Sequence, residues 1–240
     1  ERALAIDERV FGHDHPNVAR DVNNLGMVLK DQEDLEGAQA HFERALAIDE
    51  KAFGPDHPSV ARDVNNLGAV LINRGDLEGA RKSYERALAI DEKAFGSDHP
   101  NVATDVNNLG GVLQDQGDLE DAQAHFERAL AIDEKALGPD NPSVARDVNN
   151  LGHVLNDRGD LKGAKASFQR ALIIQEKRFG ADHPDAAMIL WNLGALSHKE
   201  GFTVTAREHI ERALAIFRKF LPEDHRYVQS VSRHLEFLRK

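Results

Sequence analysis

The feature that most narrows what this chain can fold into is an internal repeat. The segment ERALAIDE begins at Glu1, Glu43, Glu85 and Glu127, and weaker copies follow at Gln169 (QRALIIQE) and Glu211 (ERALAIFR), a period of 42 residues. Residues 43–84 and 85–126 are identical at 30 of 42 positions. A supersecondary unit copied this way cannot bury its apolar face alone and must stack on its own copies. The repeat therefore predicts a solenoid.

Within one unit, Pro58, Val60, Val64, Leu67, Gly68 and Leu71 recur at spacings of three and four, the stripe of an amphipathic helix, here helix A. Leu77, Ala80, Tyr84, Ala87, Leu88 and Phe95 form a second such stripe, helix B. Between them Gly75 can take a positive φ and Asp76 can cap the next helix, so the connection is short and the two helices are antiparallel neighbours. Helix B ends at Phe95-Gly96, and His99-Pro100 restarts helix A with Pro at its first position and His99 as the N-cap. Asn141 stands at the equivalent place in the fourth copy, and Asn is among the best N-caps. The fold class expected is all-α, a solenoid of stacked antiparallel helix pairs.

The phase of the repeat divides residues 1–240 of a single array into the end of a helix B at 1–11, helix pairs at 16–53, 58–95, 100–137, 142–179 and 184–221, and a capping helix at 224–240. Because the chain opens inside a helix, it is expected to be a piece of a longer array whose natural end lies near the C-terminus. The last units drift from the others, and Glu236 and Arg239 replace the Gly and Leu of inner units, as a helix with one face in water requires.

Composition removes several functions. With no cysteine there is no disulfide, thiolate metal site or cysteine nucleophile. A mean hydropathy of -0.51 with dispersed charge leaves no run able to cross a bilayer. A net charge of -11 with scattered basic residues argues against nucleic acid. Lack of cysteine favours a cytoplasmic location without excluding export.

The residues Leu67-Gly68, Ala80, Tyr84 and Ala87, with Leu25-Gly26, Ala38, Phe42 and Ala45 in the first unit, resemble the tetratricopeptide repeat. Val64 and Leu71 depart from that pattern where Trp and Tyr are usual, and eight residues are added at the B-to-A junction. The longer unit, with VNNLG, RALAI and GPDHPSVA, is similar to the 42-residue repeats of kinesin light chain. The resemblance implies a right-handed superhelix with helices A lining a concave groove that binds an extended segment of another protein. By phase, the groove positions it implies include Arg20, Arg62 and Arg146; Asn23, Asn65, Asn107 and Asn149, with Trp191 in the fifth unit; Met27 and His153; and Lys30, Ile72, Gln114 and Asn156. One carboxamide both donates and accepts, so the asparagines can hold a peptide backbone without reading its sequence, or can instead tie adjacent repeats together. Trp191 can anchor a ligand side chain or fill a gap near the end of the array. The resemblance also carries a preference for acidic peptides, which the Arg62-Asp63 alternation opposes.

The five Asp-His motifs offer one imidazole each per repeat, too few for a zinc site, and read as caps. No phosphate-cradling glycine loop, G-x-S-x-G or H-E-x-x-H occurs, so neither enzyme activity nor a cofactor is expected. The partner expected is a protein or peptide, with no nucleic acid and no membrane. The alternatives are an array that stacks end to end on itself, and the sensor region of a larger signalling ATPase.

Overall fold

The structure, a computed structural model, describes residues 2–238. Arg239 lies outside the described residues; Glu236 is exposed. All regular structure among them is helical: α1 (Arg2–Phe11), α2 (Pro16–Asp31), α3 (Leu35–Phe53), α4 (Pro58–Asn73), α5 (Leu77–Phe95), α6 (Pro100–Gln116), α7 (Leu119–Leu137), α8 (Pro142–Asp157), α9 (Leu161–Phe179), α10 (Pro184–Lys199), α11 (Thr203–Phe220) and α12 (Arg226–Phe237). Even-numbered helices are A and odd-numbered ones B. The chain divides into two compact units, 1–125 and 126–240, with the division inside α7.

In each unit successive helices pack as antiparallel neighbours around alanines and a large side chain that faces the helix-A glycine, a ring in α3, α5 and α9 and Ile210 in α11. Phe42 in the first unit and Phe168 in the second are buried against Gly26 and Gly152 of the paired helix A, the close approach that Leu-Gly permits. The A-to-B turn follows the expected chemistry: Gly75 takes φ 81°, and Asp76 Oδ1 accepts from the Gly79 N–H at 2.9 Å. Exposed ion pairs tie helix B of one repeat to the repeat before it, as in Arg44–Glu8 at 2.6 Å and Arg212–Glu176 at 2.5 Å. Each such pair adds at most about 1 kcal/mol.

The histidines of the Asp-His-Pro junctions are caps. His57 is extended at φ -82° and ψ 144°, and its Nδ1 accepts from the Ser59 N–H at 3.1 Å. His15, His99, His183 and His225 repeat the contact, and Asn141 Oδ1 accepts from the Ser143 N–H at 2.9 Å. Phe95, assigned above to the helix-B stripe, is 42% exposed instead and stacks on His99 with ring centroids 4.4 Å apart. Leu137 replaces this Phe where Asn141 replaces the His, so stack and imidazole change together. His57→Ala is expected to lower stability by about 1 kcal/mol, and His57→Asn to keep most of it, in urea unfolding.

Candidate functional site

The asparagines of helix A pair across repeats. Asn66 Nδ2 donates to Asn23 Oδ1 at 2.8 Å, Asn108 to Asn65 Oδ1 at 2.8 Å, and Asn192 to Asn149 Oδ1 at 3.0 Å. The first asparagine of each pair thus gives an acceptor to the stack. Asn65 also donates from Nδ2 to Asp105 Oδ1, so both ends of its carboxamide have partners within the protein. Asn23 and Asn107 are buried, while Asn65 and Asn149 are half-buried.

Beneath Arg62 and Arg146 lie two buried carboxyls each, one from helix B and one from the next helix A. Arg62 donates to Asp63 Oδ1 at 2.9 Å and to Asp49 Oδ2 at 3.1 Å; Arg146 does the same with Asp147 at 2.9 Å and Asp133 at 3.4 Å. Burial pushes Asp63 and Asp147 up to about 7 against the pull of their arginines, and the neighbouring Asp49 or Asp133 adds to the rise. Arg20 reaches Asp7 at 3.5 Å and Asp21 at 3.4 Å. The groove arginines therefore face their own acids, which leaves less of their charge for an acidic ligand.

In the third repeat the acids remain but the arginine does not. Thr104 stands in its place, its Oγ1 donating to the Pro100 carbonyl at 3.2 Å. Burial, with the nearby Asp91 and Glu92 carboxylates, pushes Asp105 up to about 8. A carboxyl raised in the folded state contributes its full stability below its unfolded value near 3.9 and loses it as pH rises through about 8. Asp105→Asn, neutral and of the same shape, is therefore expected to raise stability more at pH 9 than at pH 5, by about 1 kcal/mol or more. Equal gains at both pH values in thermal melts would contradict this.

The fifth repeat changes the whole set at once. Met188 replaces the arginine, Ile189 and Gln175 replace the two acids, and Trp191 replaces the first asparagine. Trp191 Nε1–H donates to His234 Nδ1 at 3.0 Å, and His234 occupies the position of the second asparagine. The inter-repeat bond persists with its direction reversed. Indole can only donate, so His234 must accept as the neutral ring. Burial, and then His198, hold its pKa below the usual value, which favours that form.

Beside these replacements lies a cleft of about 800 Å³. Arg146, Asn149 and His153 line it from α8, Met188, Ile189 and Trp191 from α10, Gln175 from α9 and His234 from α12. The Gln175 side chain is 7% exposed, and its Oε1 is buried without a hydrogen-bond partner. His153 meets Asn192 Nδ2 through Nε2 at 3.1 Å and packs T-shaped against Phe168 with ring centroids 5.1 Å apart, and burial lowers its pKa. The structure thus brings together Arg146, Asn149, His153 and Trp191 of the expected positions. Asn156 borders a smaller cavity with His153 and Lys199, and Arg62 and Asn65 line one of about 340 Å³ in the first unit. Arg20, Asn23, Met27, Lys30, Ile72, Asn107 and Gln114 line neither the 800 Å³ nor the 340 Å³ cavity. Gln175 and His234 lie outside the positions that the resemblance implies, Gln175 on a helix B and His234 at the second-asparagine position of the terminal helix A. Their signal was present as departures at the Asp position of helix B and the second Asn position of helix A.

The tetratricopeptide repeat profile matches residues 1–51, 21–92, 63–135, 104–152 and 145–219. No curated protein matches the chain in sequence. Among solved structures, BtubC (BKLC) from P. vanneervenii is similar at 24% identity and TM-score 0.76, covering 94% of this chain and 92% of that one. Kinesin light chain-like, nearly identical TPR-like repeats from Podosopora anserina are similar at 24% identity and TM-score 0.68, with 85% and 97% covered. The Rap conjugation gene regulator of plasmid pLS20, in complex with the Phr* peptide, gives 19% identity and TM-score 0.78, with 93% of this chain and 59% of that one covered. Among the described residues, no helix is long and apolar enough to cross a membrane. The matched profile covers most of the chain and the fold is the α-solenoid of that profile: the chain belongs to the tetratricopeptide repeat family.

Proposed function

We propose that the chain is a non-enzymatic protein-interaction module whose cleft on α8 and α10 receives an extended segment of a partner protein. The observation that carries this reading is the concerted replacement in the fifth repeat. An ion-paired set gives way to Met188, Ile189 and Trp191 around an open cleft bordered by one unpartnered buried acceptor, Gln175 Oε1. Apolar walls with few placed polar groups are what ligand sites offer. A backbone N–H of the segment donates to Gln175, an uncharged side chain packs on Trp191 and Met188, and His153 and Arg146 border the polar rim. Use of this fold for peptide capture is supported by the similar Rap regulator, solved with the Phr* peptide.

The test is a random peptide library screened against the chain and against a Trp191→Asn, His234→Asn variant. Hits lost in the variant support the cleft. Hits indifferent to it, or none at all, remove the reading.

A further inference from the structure

The third repeat poses a different chemical problem, in the first unit. Where the fifth repeat loses its arginine, both acids beneath it are lost as well. Where the third loses its arginine to Thr104, Asp91 and Asp105 both stay. They are 5% and 1% exposed, and Asp91 Oδ1 and Asp105 Oδ2 are buried without a partner, as are the matching Asp49 Oδ1 and Asp63 Oδ2 beneath Arg62, so what sets the third repeat apart is Thr104 in place of the arginine. The partners present are amides: Asn65 Nδ2 donates to Asp105 Oδ1, and Asn101 bonds to Asp91. Both carboxyls line the cavity of about 340 Å³, with Thr104, Asn101 and Arg62.

The same chain shows what fills this position elsewhere. At Arg62 and at Arg146 a guanidinium from the groove side spans the two acids of its repeat. Arg62 also borders the cavity, but its fork is held by Asp63 and Asp49. The other titratable groups near the pair are His99, whose Nδ1 is committed to capping α6, Tyr84, and Glu92, which adds negative charge.

We propose that the cavity takes a guanidinium from outside the chain, an arginine side chain of a bound peptide, held by Asp91 and Asp105 in the place of the repeat's missing arginine. Only the peptide that carries this arginine rests on the reading above; the site itself is a separate one. The planar fork matches two carboxyls as a point charge does not. Binding favours the ionised carboxyls and so expels a proton.

The probe is N-acetylarginine amide, titrated into isotope-labelled full chain and followed by the backbone amide signals of Asn101, Thr104 and Asp105. The neutral citrulline analogue is the control. Saturable shifts in the millimolar range are expected with arginine, at least about tenfold weaker with citrulline. Affinity should rise on the order of tenfold from pH 6.5 to 8.5, as the pair sheds its proton. Thr104→Arg, which supplies the guanidinium in cis, should abolish the response, and Asp105→Asn should do so without filling the cavity. Absence of saturation, an equal response to citrulline, or binding unchanged in both variants would overturn the site. Because the probe is not a peptide, arginine binding that persists while the library screen fails removes only the α8–α10 cleft. Library hits without arginine binding remove only this site.

Discussion

Phe168→Ala is expected to destabilise the unit 126–240 by about 3–5 kcal/mol, the loss typical of a buried phenyl ring truncated to a methyl. The ring is 2% exposed and fills the space between α8 and α9. Against it lies Gly152, where an added Cβ would stand 2.7 Å from Phe168 Cε1. Glycine is kept there by that ring, because Gly152 is inside a helix, where alanine is otherwise preferred by about 1 kcal/mol. The two positions should therefore couple with a change of sign. Gly152→Ala alone is expected to destabilise by about 1–3 kcal/mol through overpacking. In the Phe168→Ala background the new methyl enters the vacated space, and the substitution should become neutral or stabilising. A double-mutant cycle by urea unfolding measures this directly, and additive effects would mean that the ring can move aside at little cost. The same variants test the cleft's support, since His153 packs T-shaped against Phe168 with ring centroids 5.1 Å apart.

The pairing of glycine with a ring is legible in the sequence, because Leu-Gly and a large aromatic recur in step with the period through the first four repeats. The same holds for the helix pairs, their turns and the His and Asn caps, which rest on local chemistry repeated in every copy. Phe95 was misplaced because a helical stripe says which side of a helix is apolar and not how far along the helix burial extends. The candidate site was legible only in part. The neighbouring Asp63 and Asp147 already oppose an available charge on Arg62 and Arg146, but the second acid each contacts, Asp49 or Asp133, sits on the preceding helix B, 13 residues away in each case. Likewise Asn23 and Asn66 meet only when two repeats stack. Trp191 departs from the pattern at a single position, whereas the cleft is the convergence of Gln175, Met188, Ile189, Trp191 and His234, spread over 60 residues of chain, on one place.

Trp191→Asn combined with His234→Asn is expected to leave the fold intact and to weaken binding of library-selected peptides at least about 30-fold, the effect of losing an aromatic anchor worth about 2 kcal/mol. The fold should tolerate it because the protein already contains the replacement: Asn149 and Asn192 join the preceding repeats at 3.0 Å through positions in the same register, 43 residues apart. The double variant exchanges an indole-to-imidazole bond for a carboxamide pair, so the repeat interface keeps a hydrogen bond while the cleft loses its largest apolar wall. Trp191→Phe separates the two roles. Phenylalanine keeps most of the wall and loses the donor to His234, so stability should fall by about 1 kcal/mol while binding changes only a few-fold. If instead Trp191→Phe abolished binding and the double variant preserved it, the hydrogen bond and not the ring would be the functional element. Trp191 would then belong to the stack, as the asparagines it replaces do.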